Sequence, residues 1–396
     1  MFINNTLSHN GVKTKLVFNK LNIKGVNKTF LALFLVVVAL CILGVVFVYS
    51  ASSYSSEIIY NNKFYFLTKQ IIGVFLGIAG LVFFYLFDYH KLEKIKLPIV
   101  IISIVLLALV FVPGLGVENY GAKRWIGFFG ITIQPSEIAK FALVIFSASH
   151  LSKNYNKTNK IKTFLPVLLV GSIFCALVIL EPNMSITMVL AITMIIMLFV
   201  GGLKVKYMLV FVVPAIFLGI VLILIEPYRL SRLMAFLNPW ANPKGDGYQL
   251  IQSLYSLAEG GLFGVGLFNS RQKYLFLPFA ESDFIFSIIG EEFGIVGCGI
   301  IILLFFTMFF LGVKISKNAP DRFGCYLSIG IVSVIIVQVL INIAVVTGSM
   351  PPTGVPLPFI SAGSTSLLVF MSAIGILLNI NKQANFKNVL PVKQQK

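Results

Sequence analysis

Ten runs of predominantly apolar residues constrain this chain more than any other feature. They cover approximately residues 29–49, 66–87, 97–113, 134–152, 164–181, 184–203, 207–225, 283–312, 323–347 and 362–380. A helix needs about 20 apolar residues to cross the roughly 30 Å hydrocarbon core of a bilayer. Only helices and closed barrels satisfy their own backbone polar groups there. Soluble domains are about a quarter charged, whereas this chain is 11% charged and 58% hydrophobic, with a mean hydropathy of +0.95. These runs predict an all-α polytopic membrane protein with about ten transmembrane helices and a long extracytoplasmic loop between spans seven and eight.

The formal net charge of +17 would point to nucleic acid in a soluble chain. In a bilayer protein it is first a topology signal, because Lys and Arg collect in short cytoplasmic loops. Of the 31 basic residues, 21 fall on one side: Lys13, Lys15, Lys20, Lys24 and Lys28 before span one, Lys91, Lys94 and Lys96 after span two, Lys153, Lys157, Lys160 and Lys162 after span four, Lys204 and Lys206 after span six, Lys314, Lys317 and Arg322 after span eight, and Lys382, Lys387, Lys393 and Lys396 at the end. That side is assigned to the cytoplasm. The expected organisation is a cytoplasmic tail (1–28), a ten-span domain (29–380) with an extracytoplasmic loop (226–282), and a second cytoplasmic tail (381–396). Ser50-Ala51-Ser52 resembles a cleavage site, but the apolar run before it is longer than a typical signal core, so span one is read as uncleaved. Cys41, Cys175, Cys298 and Cys325 lack metal or disulfide spacing and are read as free thiols. His9, His90 and His150 are scattered and form no metal cluster.

Within 226–282, Pro239, Pro243, Gly245 and Gly247 separate an amphipathic piece before Trp240 from a second helical piece around Gln249–Ala258. The GGLFGVG run (260–266) lacks the preceding strand and following Lys-Ser/Thr of a phosphate loop, and reads as a tight re-entrant turn. Asp283 stands at the mouth of span eight, before Phe284-Ile285-Phe286. An ionisable group at such depth is usually functional, yet a carboxylate in a first helical turn capped by Ser282 is equally consistent with its position. At about 100° per residue, Glu291 lies about 80° from Asp283 and Glu292 about 180°. Only Glu291 could share its cavity, and a contact between helices is the alternative. Gln134-Pro135-Ser136-Glu137 is a sound helix start, and Glu137 and Lys140 share a face, either as an ion pair or with Lys140 presented to an anionic headgroup. Lys123-Arg124-Trp125 places two cations beside an interfacial aromatic. With Arg229, Arg232, Arg271 and Lys273 they suit a phosphorylated lipid. On these residues alone, transporter and lipid-processing enzyme both stand.

The segments GAKRWIGFFGITIQPSEIAKFAL (121–143), YRLSRLMAFLNPW (228–240), GDGYQLIQSL (245–254), GLFGVGLFNSRQKYLFLP (261–278), DFIFSIIGEEFGIVG (283–297) and PPTGVPLPFISAGSTSLL (351–368) resemble the SEDS family of shape, elongation, division and sporulation proteins. The match is ordered over some 250 residues, and the 228–240 and 269–273 stretches look more like the division and sporulation branches, FtsW and SpoVE, than the elongation branch, RodA. The resemblance implies a peptidoglycan glycosyltransferase that polymerises lipid II, an undecaprenyl-pyrophosphoryl disaccharide-peptide, at the outer face of the cytoplasmic membrane and at the division septum. It implies a class B penicillin-binding protein and divisome proteins as partners, and no nucleic acid.

By the same resemblance Asp283 matches the family's essential Asp, and Glu137 and Lys140 its buried polar pair. Asp283 is then the expected general base, with Lys123, Arg124, Glu137, Lys140, Arg229, Lys273 and Glu291 as expected substrate contacts. A divalent cation such as Mg or Mn would assist a pyrophosphate leaving group, but no ligand cluster predicts one. Two departures stand out. Residues 278–283 read PFAESD where the family commonly has a PEAHTD-like run, and 361–366 read SAGSTS where it has SYGGSS. A lipid II flippase and a scaffold recruiting a transpeptidase are the competing functions.

Overall fold

The structure, a computed structural model, describes residues 27–119, 122–128, 131–157 and 161–389. Ten long helices fall on the ten apolar runs: α1 (Lys28–Tyr60), α2 (Tyr65–Leu86), α4 (Lys96–Leu109), α5 (Pro135–Lys153), α6 (Leu165–Leu180), α7 (Met184–Val200), α8 (Val205–Ile225), α11 (Ile285–Lys317), α12 (Arg322–Val346) and α13 (Ser364–Val389). Three short ones, α3 (His90–Lys94), α9 (Pro227–Leu237) and α10 (Tyr248–Gly260), complete the set. Among the described residues six helices are long and apolar enough to span a bilayer, and α4, α6 and α7 are apolar but shorter. α12 is the hub, buried on most sides and packed against α5, α7 and α11, while α13 pairs most extensively with α2. By contrast α8 has no buried residue. The expected tail at 1–28 lies outside the described residues except for 27 and 28, as does His9, while the expected tail at 381–396 is described as far as Val389, where it continues α13. All four cysteines are free.

Helix ends follow local chemistry. Asn27 accepts from the Thr29 amide at 2.9 Å to start α1, and Asp321 accepts from the Gly324 amide at 2.8 Å to start α12. α5 opens with Pro135 as expected. α1 continues well past residue 49, and Ser50, Ala51 and Ser52 are buried inside it. Ser50 Oγ donates to Glu292 at 2.5 Å, so this stretch is an inter-helix contact.

The connection between the third and fourth apolar runs, 114–133, contains a small antiparallel sheet, β1 (Gly116–Asn119), β2 (Ala122–Phe128) and β3 (Ile131–Ile133), in the order β1-β2-β3. A register shift between Val117 and Glu118 marks a bulge opposite the Lys123-Arg124-Trp125 stretch. Bulges re-aim side chains, and this one lies where β2 carries Arg124.

The GGLFGVG run is indeed re-entrant, with positive φ at Gly261, Gly264 and Gly266. It plugs a break in α11. At Gly294 (φ 64°, ψ −162°) the helix is interrupted. The amides of Ile295 and Val296 donate to the carbonyls of Gly261 and Leu262, at 2.9 and 3.2 Å, while Val265 and Gly266 donate to the carbonyls of Glu291 and Glu292, at 2.9 and 3.0 Å. The carbonyls of Glu291 and Glu292 and the amides of Ile295 and Val296, which would pair with one another in an unbroken helix, are bonded to the loop instead.

Side chains reinforce the plug. The fully buried Glu291 carboxylate accepts from Ser256 Oγ (3.0 Å), Ser270 Oγ (2.7 Å) and the amides of Arg271 (2.6 Å) and Gln272 (3.4 Å). Removing it orphans several buried donors, each worth about 1–3 kcal/mol. Glu291→Ala is therefore expected to destabilise the protein by about 3 kcal/mol or more, read as a lower thermal midpoint in detergent and faster proteolysis at 271–277. An unchanged midpoint would remove Glu291 as the clasp.

Candidate active site

Two adjoining chambers open on the side of the bundle that bears the sheet, α9 and the 348–363 segment. The first, about 330 Å³, is walled by the start of α2 (Phe66, Lys69), the sheet (Arg124, Trp125), α9 (Tyr228, Arg232), the turn ending at Asp283, and residues 353–366. The second, about 590 Å³, lies between the α6–α7 turn, the end of α8, α9 and residues 350–353, and mixes arginines with Met184, Met188, Ile223 and Leu233. Arg124, Tyr228, Arg232 and Thr353 line both chambers and form the partition between them.

Asp283 is the only carboxylate among the described residues lining the first chamber. It stands two residues before α11, whose N-cap is Phe284 and has no side-chain cap. The reading of Asp283 as a first-turn carboxylate capped by Ser282 is therefore corrected: the carboxylate projects from a turn into the chamber. Burial pushes its pKa up to about 6, against the opposing pull of Arg124, Arg232 and a hydrogen bond with Ser282. Gly354 (φ +72°) faces it, and a Cβ there would lie 3.1 Å from Asp283 Oδ2, so only glycine leaves the carboxylate its space without backbone strain.

Among the described residues Arg124 is held by backbone carbonyls. It donates from Nε to the Glu181 carbonyl at 3.4 Å and from Nη2 to the Pro182 carbonyl at 2.5 Å. Burial pushes the nearby Glu181 carboxyl up to about 8, the charge of Arg124 opposing, and its oxygens have no hydrogen-bond partner among the described residues. Arg232 donates to the Pro352 carbonyl at 2.9 Å and its guanidinium lies 4.7 Å from the Tyr228 ring centroid. A proton acceptor thus faces arginines across one space, and an apolar-walled chamber adjoins it, suiting an anionic group on a greasy tail.

Residues 31–386 match the FtsW/RodA/SpoVE family of cell cycle proteins. The chain belongs to this family. Stage V sporulation protein E of Bacillus subtilis (strain 168) is 38% identical over 371 residues, covering 91% of this chain and 99% of that protein. The probable peptidoglycan glycosyltransferase FtsW of Geobacter metallireducens is 39% identical over 363 residues, covering 91% and 97%. A solved chain from a peptidoglycan synthase complex that coordinates polymerization and crosslinking superposes with a TM-score of 0.74 at 25% identity, covering 89% of this chain and 97% of that one. The rod shape determining protein RodA of Thermus thermophilus has the same fold, with a TM-score of 0.63 at 22% identity, covering 89% and 96%. The chain is accordingly a multi-pass membrane protein with the SEDS fold.

In this FtsW/RodA/SpoVE chain the expected site residues separate into groups. Asp283 and Arg124 meet in the first chamber, and Arg229 lines the second. Glu137 and Lys140 lie fully buried beneath the first chamber, Lys140 Nζ 2.9 Å from Glu137 Oε1, with Glu137 Oε2 accepting from Ser366 Oγ, a chamber residue, at 3.1 Å. Lys140 is thus a paired cation under the floor and is not presented to a headgroup. Lys123 is exposed on β2, in register with Glu118, outside both chambers. Lys273 and Glu291, expected as substrate contacts, line neither chamber: buried Lys273 reaches the Phe268 carbonyl (2.6 Å) and Glu292 (3.3 Å), and Glu291 clasps the plug. Of the two departures, the 278–283 run places Phe279 in the lining of the first chamber and leaves Glu281 half-buried, and the 361–366 run lines the same chamber from Ala362 to Ser366. No group of three or more His, Cys, Asp or Glu side chains among the described residues could hold a metal ion, so they do not form a resident metal cage.

Proposed function

We infer that the chain polymerises lipid II into glycan strands as a peptidoglycan glycosyltransferase, at the outer face of the cytoplasmic membrane, during division or sporulation. The observation that carries this reading is the opposition of Asp283 to Arg124 and Arg232 in one chamber, with an apolar, arginine-bearing chamber beside it. The naming of relatives as probable peptidoglycan glycosyltransferases supports it. Asp283 accepts the proton of the acceptor sugar hydroxyl as its oxygen bonds to the anomeric carbon of the donor sugar. The bond from that carbon to the phosphate oxygen breaks, and the lipid pyrophosphate leaves carrying the electron pair. Arg124 and Arg232 meet the charge that develops on it, and Arg229 holds the headgroup in the second chamber. A divalent cation, if bound with the pyrophosphate, would supply further charge neutralisation to that leaving group.

Both termini are assigned to the cytoplasm and the protein to the division septum, with a class B penicillin-binding protein and divisome proteins as partners. The 21 basic residues on one side of the expected topology support the first, and the likeness to a synthase-complex chain supports the partnership.

Purified protein supplied with fluorescent lipid II tests the assignment. Polymer supports the enzyme; transbilayer headgroup movement without polymer supports transport; neither supports a scaffold. Arg232→Ala is expected to lower kcat/KM by about tenfold or more, since a charge-assisted hydrogen bond is worth about 1.5–3 kcal/mol. Wild-type kinetics in that variant would remove Arg232 from the leaving-group site.

A further inference from the structure

Asp283 lies outside any helix, on the turn that begins at Phe279, whose carbonyl accepts from the amides of Ser282 and Phe284 at 3.1 and 3.3 Å. A general base on a turn needs an external hold, because an error of about 1 Å in a reacting group can cost on the order of 100-fold in rate. That hold is visible in three consecutive backbone carbonyls. Glu281 O accepts from the Ala362 amide at 2.9 Å, Ser282 O from Ser361 Oγ at 2.6 Å, and Asp283 O from Asn342 Nδ2 at 2.8 Å.

Each tie has a second end. Asn342 Nδ2 also donates to the Val355 carbonyl at 2.7 Å, and Ser361 Oγ accepts from the Leu357 amide at 2.7 Å. The Asp283 turn and the 353–362 segment, which supplies Gly354 opposite the carboxylate, are thereby fastened to each other and to the central helix α12. Asn342 is buried at 1% exposure, and its amide oxygen has no hydrogen-bond partner among the described residues. Both neighbours of its nitrogen are carbonyl acceptors, which fixes the amide orientation. A buried orphan oxygen is unfavourable, and the double donation is what the amide supplies in return.

We propose that Asn342, with Ser361, is a positioning residue for the glycosyl transfer: their clasp on the Ser282 and Asp283 carbonyls aims the Asp283 carboxylate into the first chamber. This rests on the reading of Asp283 as general base and adds residues that never touch substrate. The other charged groups facing Asp283 are Arg124, Arg232 and Lys69 on the chamber walls and Glu281 on its own turn; the variants below leave all of them in place.

The test is steady-state lipid II polymerisation by the purified full chain over a range of pH. Asn342→Ala is expected to lower kcat by about 10- to 100-fold with KM within about twofold of wild type. A loosened Asp283 gains solvent, so the acid limb of its rate profile should move to lower pH, which a general packing defect would not produce. Asn342→Asp is expected to be worse than Ala, because it turns a carboxylate toward two carbonyls. Ser361→Ala should show the same kcat-selective loss, smaller in size. Ser333→Ala, whose hydroxyl bonds within α12 to the Ile329 carbonyl at 2.7 Å, serves as control and should match wild type.

Wild-type kcat in Asn342→Ala, or a loss with an unmoved acid limb, would overturn the proposal. If Asn342→Ala does not fold, Ser361→Ala decides it by the same readouts. Failure of the functional reading looks different: the wild type then makes no polymer, or Asp283→Asn polymerises as well as wild type.

Discussion

Asp283→Asn is expected to lower lipid II polymerisation by about 10²–10⁴-fold, the range supplied by a positioned general base. The substitution keeps size and shape and removes only the ability to take a proton. The wild-type rate carries a second signature of the same group. As a general base it would act in its ionised form, and burial raises its pKa to about 6. The sign follows: the rate should be level above pH 6 and fall about tenfold for each unit below it. The Asn variant should retain a small rate without that limb. Polymer formed equally by Asp283→Asn and wild type would dismiss Asp283 as the base, and an Asn variant that kept the acid limb would assign it to another group.

Breaking the buried pair beneath the chamber is expected to have the largest effect on stability. Glu137 and Lys140 have no solvent exposure on either side chain. Lys140 Nζ reaches Glu137 Oε1 at 2.9 Å, donates also to Gln338 Oε1, and lies 4.9 Å from the Phe370 ring centroid. Gln338 donates in turn to the Pro356 carbonyl at 2.9 Å. The pair therefore joins α5, α12, α13 and the chamber wall through one set of polar contacts. Removing one partner leaves an uncompensated charge in a low-dielectric interior, which costs about 3–5 kcal/mol. Lys140→Ala and Glu137→Ala should each lower the thermal midpoint sharply. Glu137→Gln combined with Lys140→Met should recover much of the loss, because no charge is then stranded. A double variant as unstable as the singles would show that the hydrogen bonds to Ser366 and Gln338, rather than charge pairing, hold this region.

Much of the fold is legible in the chain because a bilayer imposes a length rule. Ten apolar runs became ten helices, with ends displaced by a few residues except where α1 and α13 extend well past the expected limits. The re-entrant glycine loop was legible from spacing, and its partner, the break at Gly294, was not. Gly294 lies in an apolar run that reads as continuous helix, and only the loop packed against it explains the interruption. The sheet around Arg124 was hidden for a related reason: its strands are short, and their pairing depends on a bulge.

The site shows the same division. Asp283 and Arg124 carry charge where charge is costly, so position alone drew attention to them. Lys273 and Glu291 drew attention for the same reason, yet three-dimensional packing turns them toward Glu292 and the loop backbone. Arg232 follows Arg229 by one helical turn, and that i, i+3 spacing was the available signal that both face the second chamber. Asn342 and Ser361 carry no charge and sit in apolar or Pro-rich surroundings, and their importance lies in which carbonyls they reach.

By itself the sequence determined a ten-helix membrane protein, the side its lysines favour, and the charged residues that stand at the ends of the apolar runs, because hydrophobic length and the desolvation of charge are properties of local composition. The tertiary structure alone decided which charges face the chamber and which are consumed in clasps. Hydrogen-bond partners separated by tens to hundreds of residues, such as Asn342 and Asp283 or Ser50 and Glu292, are chosen by packing geometry, which no local pattern encodes.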